Sequence, residues 1–279
     1  MVKYYVGGQA LIEGVMMKYK DRIAIAVREK NGKITVKKEN IKYKDSNIPF
    51  IRGVVNLFII LYIGIKSLNY SANVAAGKEE NVSTVGLLFS LLFAIIFAVA
   101  LFKFLPLLFV YILDKSFHFN NILFNVLDGL FKILLFVLYV YAISFMKDVH
   151  RVFQYHGAEH KAVACHEYNK KLSVEHVQKF EKEHIRCGTS FIFLVLFISI
   201  IVYTFIPKDY SFSLKLLLRI LLLPVVASLS YEALRLGARY KAFKFFSYPG
   251  LWIQKITTKN PTGKQVEVAI KALKTVLSR

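Results

Sequence analysis

Acid is scarce in this chain. Asp and Glu number 18 against 38 Lys and Arg, leaving a formal net charge of +20 over 279 residues. Cysteine is scarcer still, with two residues, too few for a disulfide framework. The opening Met1–Gly8 has no continuous apolar core, so no signal peptide is expected. No inverted repeat is visible, which argues against a transporter. What abounds is apolarity: 56% hydrophobic residues and a mean hydropathy of +0.46. A basic excess alone would suggest nucleic acid. Here the basic residues bracket the apolar runs rather than enter them, so nucleic acid is not an expected partner and the lipid bilayer is.

The expected fold is a mainly α membrane protein: about four transmembrane helices, an interfacial helix, a small N-terminal β hairpin unit and a cytosolic His/Cys-rich helical segment. Residues 1–45 form the β unit. Within it Arg22–Arg28 and Ile34–Lys38 flank Asn31-Gly32, a strong hairpin signal. Gly7, Gly8 and Gly14 are expected to serve tight turns. Residues 46–82 hold an apolar run, Val54–Ile65, too short for the roughly 20 residues a span needs and interrupted by Asn56, so an interfacial or re-entrant amphipathic helix is expected. Residues 83–248 form the four-span domain, with spans at Val85–Leu113, Ile122–Met146, Thr189–Ile206 and Leu214–Leu234 and a cytosolic insert at 147–188. Pro249-Gly250 breaks the chain, and 249–279 is a cytosolic tail whose Val266–Leu277 carries apolar residues at helical spacing.

Charge sets the orientation. Lys and Arg number twelve in 1–52, eight in 147–188 and ten in 235–279, against one each in 114–121 and 207–213. Both termini and 147–188 are therefore expected in the cytosol, with the multi-pass protein in the cytoplasmic membrane. Of the charges in or near spans, Asp128 and Lys132 are spaced to pair on one helix face, and Glu232 and Arg235 to face the central segment.

That central segment carries the chemistry. Six of seven histidines and both cysteines lie between His150 and Cys187. On a helix continuing the second span over 150–167, His156 and His160 stand one turn apart with Glu159 beside them. His-x-x-Glu-His is an inverted zinc-hydrolase motif: two imidazoles hold a divalent metal, expected to be zinc, and the carboxylate is a general base for water. A third ligand is expected from His184 or Cys187, at the end of a helix over Val174–His184, with Cys165, His166 and Glu167 as alternatives. Glu13 is a further candidate, as a ligand, as a hydrogen-bond partner of a liganding imidazole, or simply as the partner of a lysine. His150 and His176 are expected in solvent. A site with every coordination position filled by protein would instead be structural, in a non-catalytic membrane scaffold or assembly factor. No organic cofactor is expected, and neither a substrate nor a protein partner is specified.

Several stretches together resemble a known family: Gly7–Met17, Phe153–Lys161, Arg186–Phe191, Pro249–Trp252 and Glu267–Ile270. Through them the whole chain resembles the bacterial membrane family of unknown function 1385. The resemblance implies a multi-pass membrane protein and a metal-dependent enzyme.

Overall fold

The computed structural model describes residues 6–41, 46, 48–77, 84–240, 242–243, 245 and 248–278. The outer parts of the 1–45 unit and the end of the 46–82 segment beyond Gly77 lie outside the described residues. The sheet is an antiparallel meander of four strands in order β1 Gly7–Leu11, β2 Gly14–Tyr19, β3 Arg22–Arg28 and β4 Ile34–Asn40. The Asn31-Gly32 hairpin joins β3 to β4, with Gly32 at φ 88° and the Gly32 N–H donating to the Glu29 carbonyl. The other two turns do not use glycine. Their left-handed residues are Glu13 and Lys20, at φ 52° and 55°. Gly7, Gly8 and Gly14 lie within strands instead.

Both faces of the sheet are covered, which is why β3 reads as almost continuous apolar sequence. Ile23, Ile25 and Val27 share one face with Leu11 and Met16 and pack on Ile63 of helix α1, Ile51–Ala76. Ala24 and Ala26 share the other face with Val15 and Met17. Small residues there let two helices approach: α5, Lys147–Glu167, through Tyr155, Ala158 and Ala162, and the C-terminal α11, Gly263–Leu277, through Val266, Ala269 and Leu273. A capping box of Thr262 and Gln265 starts α11. Arg22 and Arg28, at the two ends of β3, hold its two ends: Arg22 donates to the Ser278 carbonyl, Arg28 to the Lys264 carbonyl and Glu267.

Helix α1 is longer than the apolar run suggested, at 26 residues. Asn56, which looked like an interruption, is buried and bonded to Ser46 and to the Tyr231 hydroxyl. While one face of α1 meets the sheet, Phe58, Leu61, Tyr62 and Leu68 are exposed on the remainder.

The remaining helices are α2 Thr84–Val99, a π-helical turn Ala100–Phe104, α3 Leu105–Phe117, α4 Asn121–Ile143, α6 Val174–Gln178, α7 Gly188–Tyr203, α8 Phe212–Leu221, α9 Leu223–Arg239 and α10 Tyr248–Thr257. Three stretches are long and apolar enough to cross a membrane: Ile51–Ala76, Leu88–Phe117 and Asn121–Ile143. The expected fourth span is instead two helices bent by 44°, since Pro224 in the first turn of α9 cannot continue the α8 ladder. The pair makes a fourth candidate if it counts as one span. The expected third is only the 16-residue α7. Nor does α5 continue α4: Ser144–Met146 break the helix before it restarts at Lys147. Pro249-Gly250, expected as a break, opens α10, where Gly250 lets the helix meet Ser190 of α7; a Cβ there would stand 2.5 Å from the Ser190 Cα.

Candidate metal centre

The middle of α5 is buried on nearly every side. Sheet and α11 cover one flank, and the 257–261 segment lies flat along another. The Lys259 N–H donates to the Phe153 carbonyl at 2.9 Å, and Gly157 leaves room for this segment. The helix therefore holds His156 and His160 one turn apart in a crowded setting, with ring centroids 4.4 Å apart.

Beyond α5 the chain does not form the expected helix to His184. After α6, with only five residues, residues 179–187 run irregularly. That leaves carbonyls free to face α5. Lys161 donates to those of Gln178 and Phe180, and His160 Nδ1 donates to that of Lys182 at 2.5 Å. His156 Nδ1 likewise donates to the Thr257 carbonyl at 2.9 Å. Both imidazoles thus have the proton on Nδ1 and keep a lone pair on Nε2, the arrangement seen where imidazoles ligate metals.

Cys187 closes the group. It caps the N-terminus of α7, its sulfur accepting from the Thr189 N–H and hydroxyl. His156 Nε2 lies 3.2 Å from Cys187 Sγ, and the donor atoms of His156, His160 and Cys187 all lie within 4.8 Å of one another. Zinc bonds of about 2.0–2.3 Å at tetrahedral angles put ligand atoms about 3.3–3.7 Å apart, so the trio is close to that size. Burial holds the His160 imidazole below its ordinary value, against an opposing pull from Cys187. A neutral imidazole is the ligating form.

Glu159 sits beside the trio, fully buried against β1. A Cβ on Gly8 would lie 2.7 Å from its Oε1, and its Oε2 has no hydrogen-bond partner among the described residues. Burial pushes this carboxyl up to about 7, only partly offset by His156. The N/N/S donor set of His156, His160 and Cys187 is one that suits zinc, and Glu159 stays outside it.

The other sequence candidates are elsewhere or only adjacent. The His184 ring is 5.7 Å from that of His160, but its Nε2 faces Glu167 at 3.4 Å and its backbone is clamped by Gln254. Glu167 also pairs with Arg186; burial raises this carboxyl, but His184 and Arg186 together hold it below its ordinary value. Cys165 lies in the hydrophobic core with its sulfur toward the Lys171 carbonyl. His166 is in the last turn of α5, away from the trio. Glu13 pairs with Arg151 and accepts from the Tyr155 hydroxyl at 3.1 Å, touching no histidine among the described contacts. A cavity of about 370 Å³ opens at the start of α5, lined by Phe145, Lys147, Asp148, His150, Arg151 and Gln154, rather than on the trio. Sequence reasoning missed the Thr257 and Lys182 carbonyls and the role of Gly8. Only Gly8 carried any signal, in the Gly7–Met17 stretch.

Residues 48–279 match the family model described as "Protein of unknown function (DUF1385)". The chain is also similar to "Uncharacterized protein YqhQ" of Bacillus subtilis strain 168, at 33% identity over 293 residues, covering 97% of this chain and 92% of that protein. No solved structure matches. The family match takes in α1, every later helix and the whole His/Cys trio, and the relative extends the likeness across the sheet: the chain belongs to the DUF1385 family.

Proposed function

We propose that this is a multi-pass membrane protein with a zinc centre at the cytosolic membrane face, acting as a hydrolase. The observation that carries the reading is the convergence of His156 Nε2, His160 and Cys187 Sγ, with both Nδ1 protons committed to backbone carbonyls. Three protein ligands leave a tetrahedral ion one open position, the pattern of catalytic rather than structural zinc. When bound, the zinc would supply a Lewis acid for water activation and substrate polarisation. The chain's own residues would do the rest. The two carbonyls orient the imidazoles. Glu159, held near neutrality by burial, takes a proton from water and returns it to the leaving group. The sheet and α11 exclude bulk water from one side.

A second reading rests on His184. If its ring turned from Glu167 to fill the fourth position, the site would be closed, and the protein a scaffold held together by its metal. Metal analysis of the detergent-purified chain separates the two. On the enzyme reading, His160→Ala loses zinc, His184→Ala keeps it, and Glu159→Gln keeps the metal yet abolishes complementation, because an amide cannot accept the proton. A fully functional Glu159→Gln protein would end the hydrolase reading, and loss of zinc in His184→Ala would favour the scaffold.

The membrane placement is supported by the apolar helices and by α1, which carries the sheet on one face and bares Phe58, Leu61, Tyr62 and Leu68 on the rest, as an interfacial helix would. Reporter fusions at Lys20, Asn169 and Lys264 are expected to read cytosolic, and one at Asp209 non-cytosolic. A non-cytosolic Asn169 would move the metal centre to the other side.

A further inference from the structure

A second group of charged residues lies inside the helix bundle, in the half of α4 remote from α5. Asp128, Lys132 and Arg219 are each about 1% exposed. Asp128 is the carboxylate of the group. Lys132 Nζ lies 3.2 Å from one of its oxygens and Arg219 NH1 2.7 Å from the other. Arg219 NH2 donates to the Asn125 side chain at 2.7 Å. A third cation, the half-buried Lys103, arrives from the π-helical turn and donates to the Tyr203 hydroxyl at 2.8 Å, which in turn donates to the Arg219 carbonyl. All three cations crowd one ring: Lys103, Lys132 and Arg219 lie 4.9, 5.1 and 5.4 Å from the Tyr203 centroid. Lys215, one turn from Arg219, is served separately by the Lys208 carbonyl.

Three basic side chains share one carboxylate. Burying an unpaired ion is strongly unfavourable. Bundle packing alone would be better served by equal numbers of each sign. Some of the donors are also unspent. Arg219 Nε has no partner among the described residues. Nη1 stands 2.7 Å from an Asp128 oxygen as an ion pair. Lys132 uses one of its three protons. Lys103 stands on a π-turn, a distortion of the helix ladder often found at functional sites. Guanidinium and amine donors gathered in excess of acceptors match the oxygens of a tetrahedral oxoanion.

We propose that Lys103, Lys132 and Arg219, with Asn125 and Tyr203, form a binding site for a phosphate dianion within the bundle. The phosphate is either free or the terminal group of a phospholipid or other phosphorylated molecule. This site is separate from the zinc centre and does not depend on it.

The test is phosphorus analysis of the full chain, purified in detergent and partitioned between organic and aqueous solvent, with inorganic phosphate uptake measured on the same samples. Wild type retains stoichiometric phosphorus: in the organic phase if the ligand is a lipid, in the aqueous phase or as saturable uptake if it is free phosphate or a water-soluble phosphorylated molecule. Lys132→Met and Arg219→Gln weaken retention about tenfold or more, since each removes a desolvated partner of the anion. Asp128→Asn is the decisive variant. Removing the competing carboxylate leaves retention equal or tighter, whereas in a plain ion-pair network it would be the most damaging change and nothing would be bound. If the buried variants fail to fold, Lys103→Met, at the edge of the cluster, lowers retention while the chain stays monodisperse. The proposal is overturned if wild type holds no phosphorus in either phase and takes up no phosphate, or if folded Asp128→Asn loses what wild type holds.

Discussion

Gly157→Ala should destabilise the protein by about 3 kcal/mol or more and, on the proposed zinc reading, lower its metal content. Intrinsic helix propensity predicts the opposite, since alanine is favoured over glycine mid-helix by about 1 kcal/mol. Steric overlap decides the sign. The new Cβ would stand 2.1 Å from the Lys259 carbonyl oxygen, with the Lys259 carbon and the Pro261 Cδ next in line at 3.3 and 3.4 Å. That oxygen belongs to backbone, and the segment is tied to α5 by the Lys259–Phe153 hydrogen bond. No rotamer change relieves it, so the segment must lift. Thr257 lifts with it and takes away the carbonyl that orients His156. Thermal unfolding in detergent and zinc content, measured together, should both fall. An unchanged melting temperature would mean that the segment does not lie against the helix.

Cys187 has two duties that two substitutions separate. It caps α7 and faces both imidazoles. In Cys187→Ser the hydroxyl remains a good helix cap, so α7 should form normally, but the soft thiolate is gone and zinc retention should drop by about two orders of magnitude. In Cys187→Ala the zinc is lost as well, and the missing cap costs about 1 kcal/mol more. Binding free energy is folding free energy in such a unit, so chelating the wild type should lower its stability far more than chelating Cys187→Ser. Equal responses of the two proteins to chelator would exclude Cys187 as a ligand.

What could be read from the sequence divides along the range of the interaction. The β3–β4 hairpin was legible because Asn31-Gly32 and its flanking strands are local. The shared face of His156 and His160 was legible because four residues make about one helical turn. The amphipathic pattern of α11 gave the helix but not its partner, since nothing at Val266 or Leu273 names a sheet more than two hundred residues away. Asn56 misled for the same reason: its partners Ser46 and Tyr231 convert an apparent interruption into a buried joint. His184 and Cys187 looked equivalent as ligands until Glu167 and Gln254 drew one of them aside. The anchors of the imidazoles are main-chain carbonyls, which carry no signature in a list of side chains.

The order of the chain in the sheet layer has a consequence for biogenesis. The strands end at Asn40, yet the second of the two helices that cover Val15, Met17, Ala24 and Ala26, α11, begins only at Gly263. At about 5–20 residues per second, on the order of ten to forty seconds of translation separate the two. Through that interval the apolar face of the nascent sheet is at most partly covered, by α5 once it has emerged, while the hydrophobic helices are emerging behind it. A ribosome stalled anywhere before α11 therefore displays an adhesive, unfinished surface. Such intermediates call for a holding chaperone, and a chain lacking the fifteen residues of α11 is a natural substrate for quality-control proteolysis.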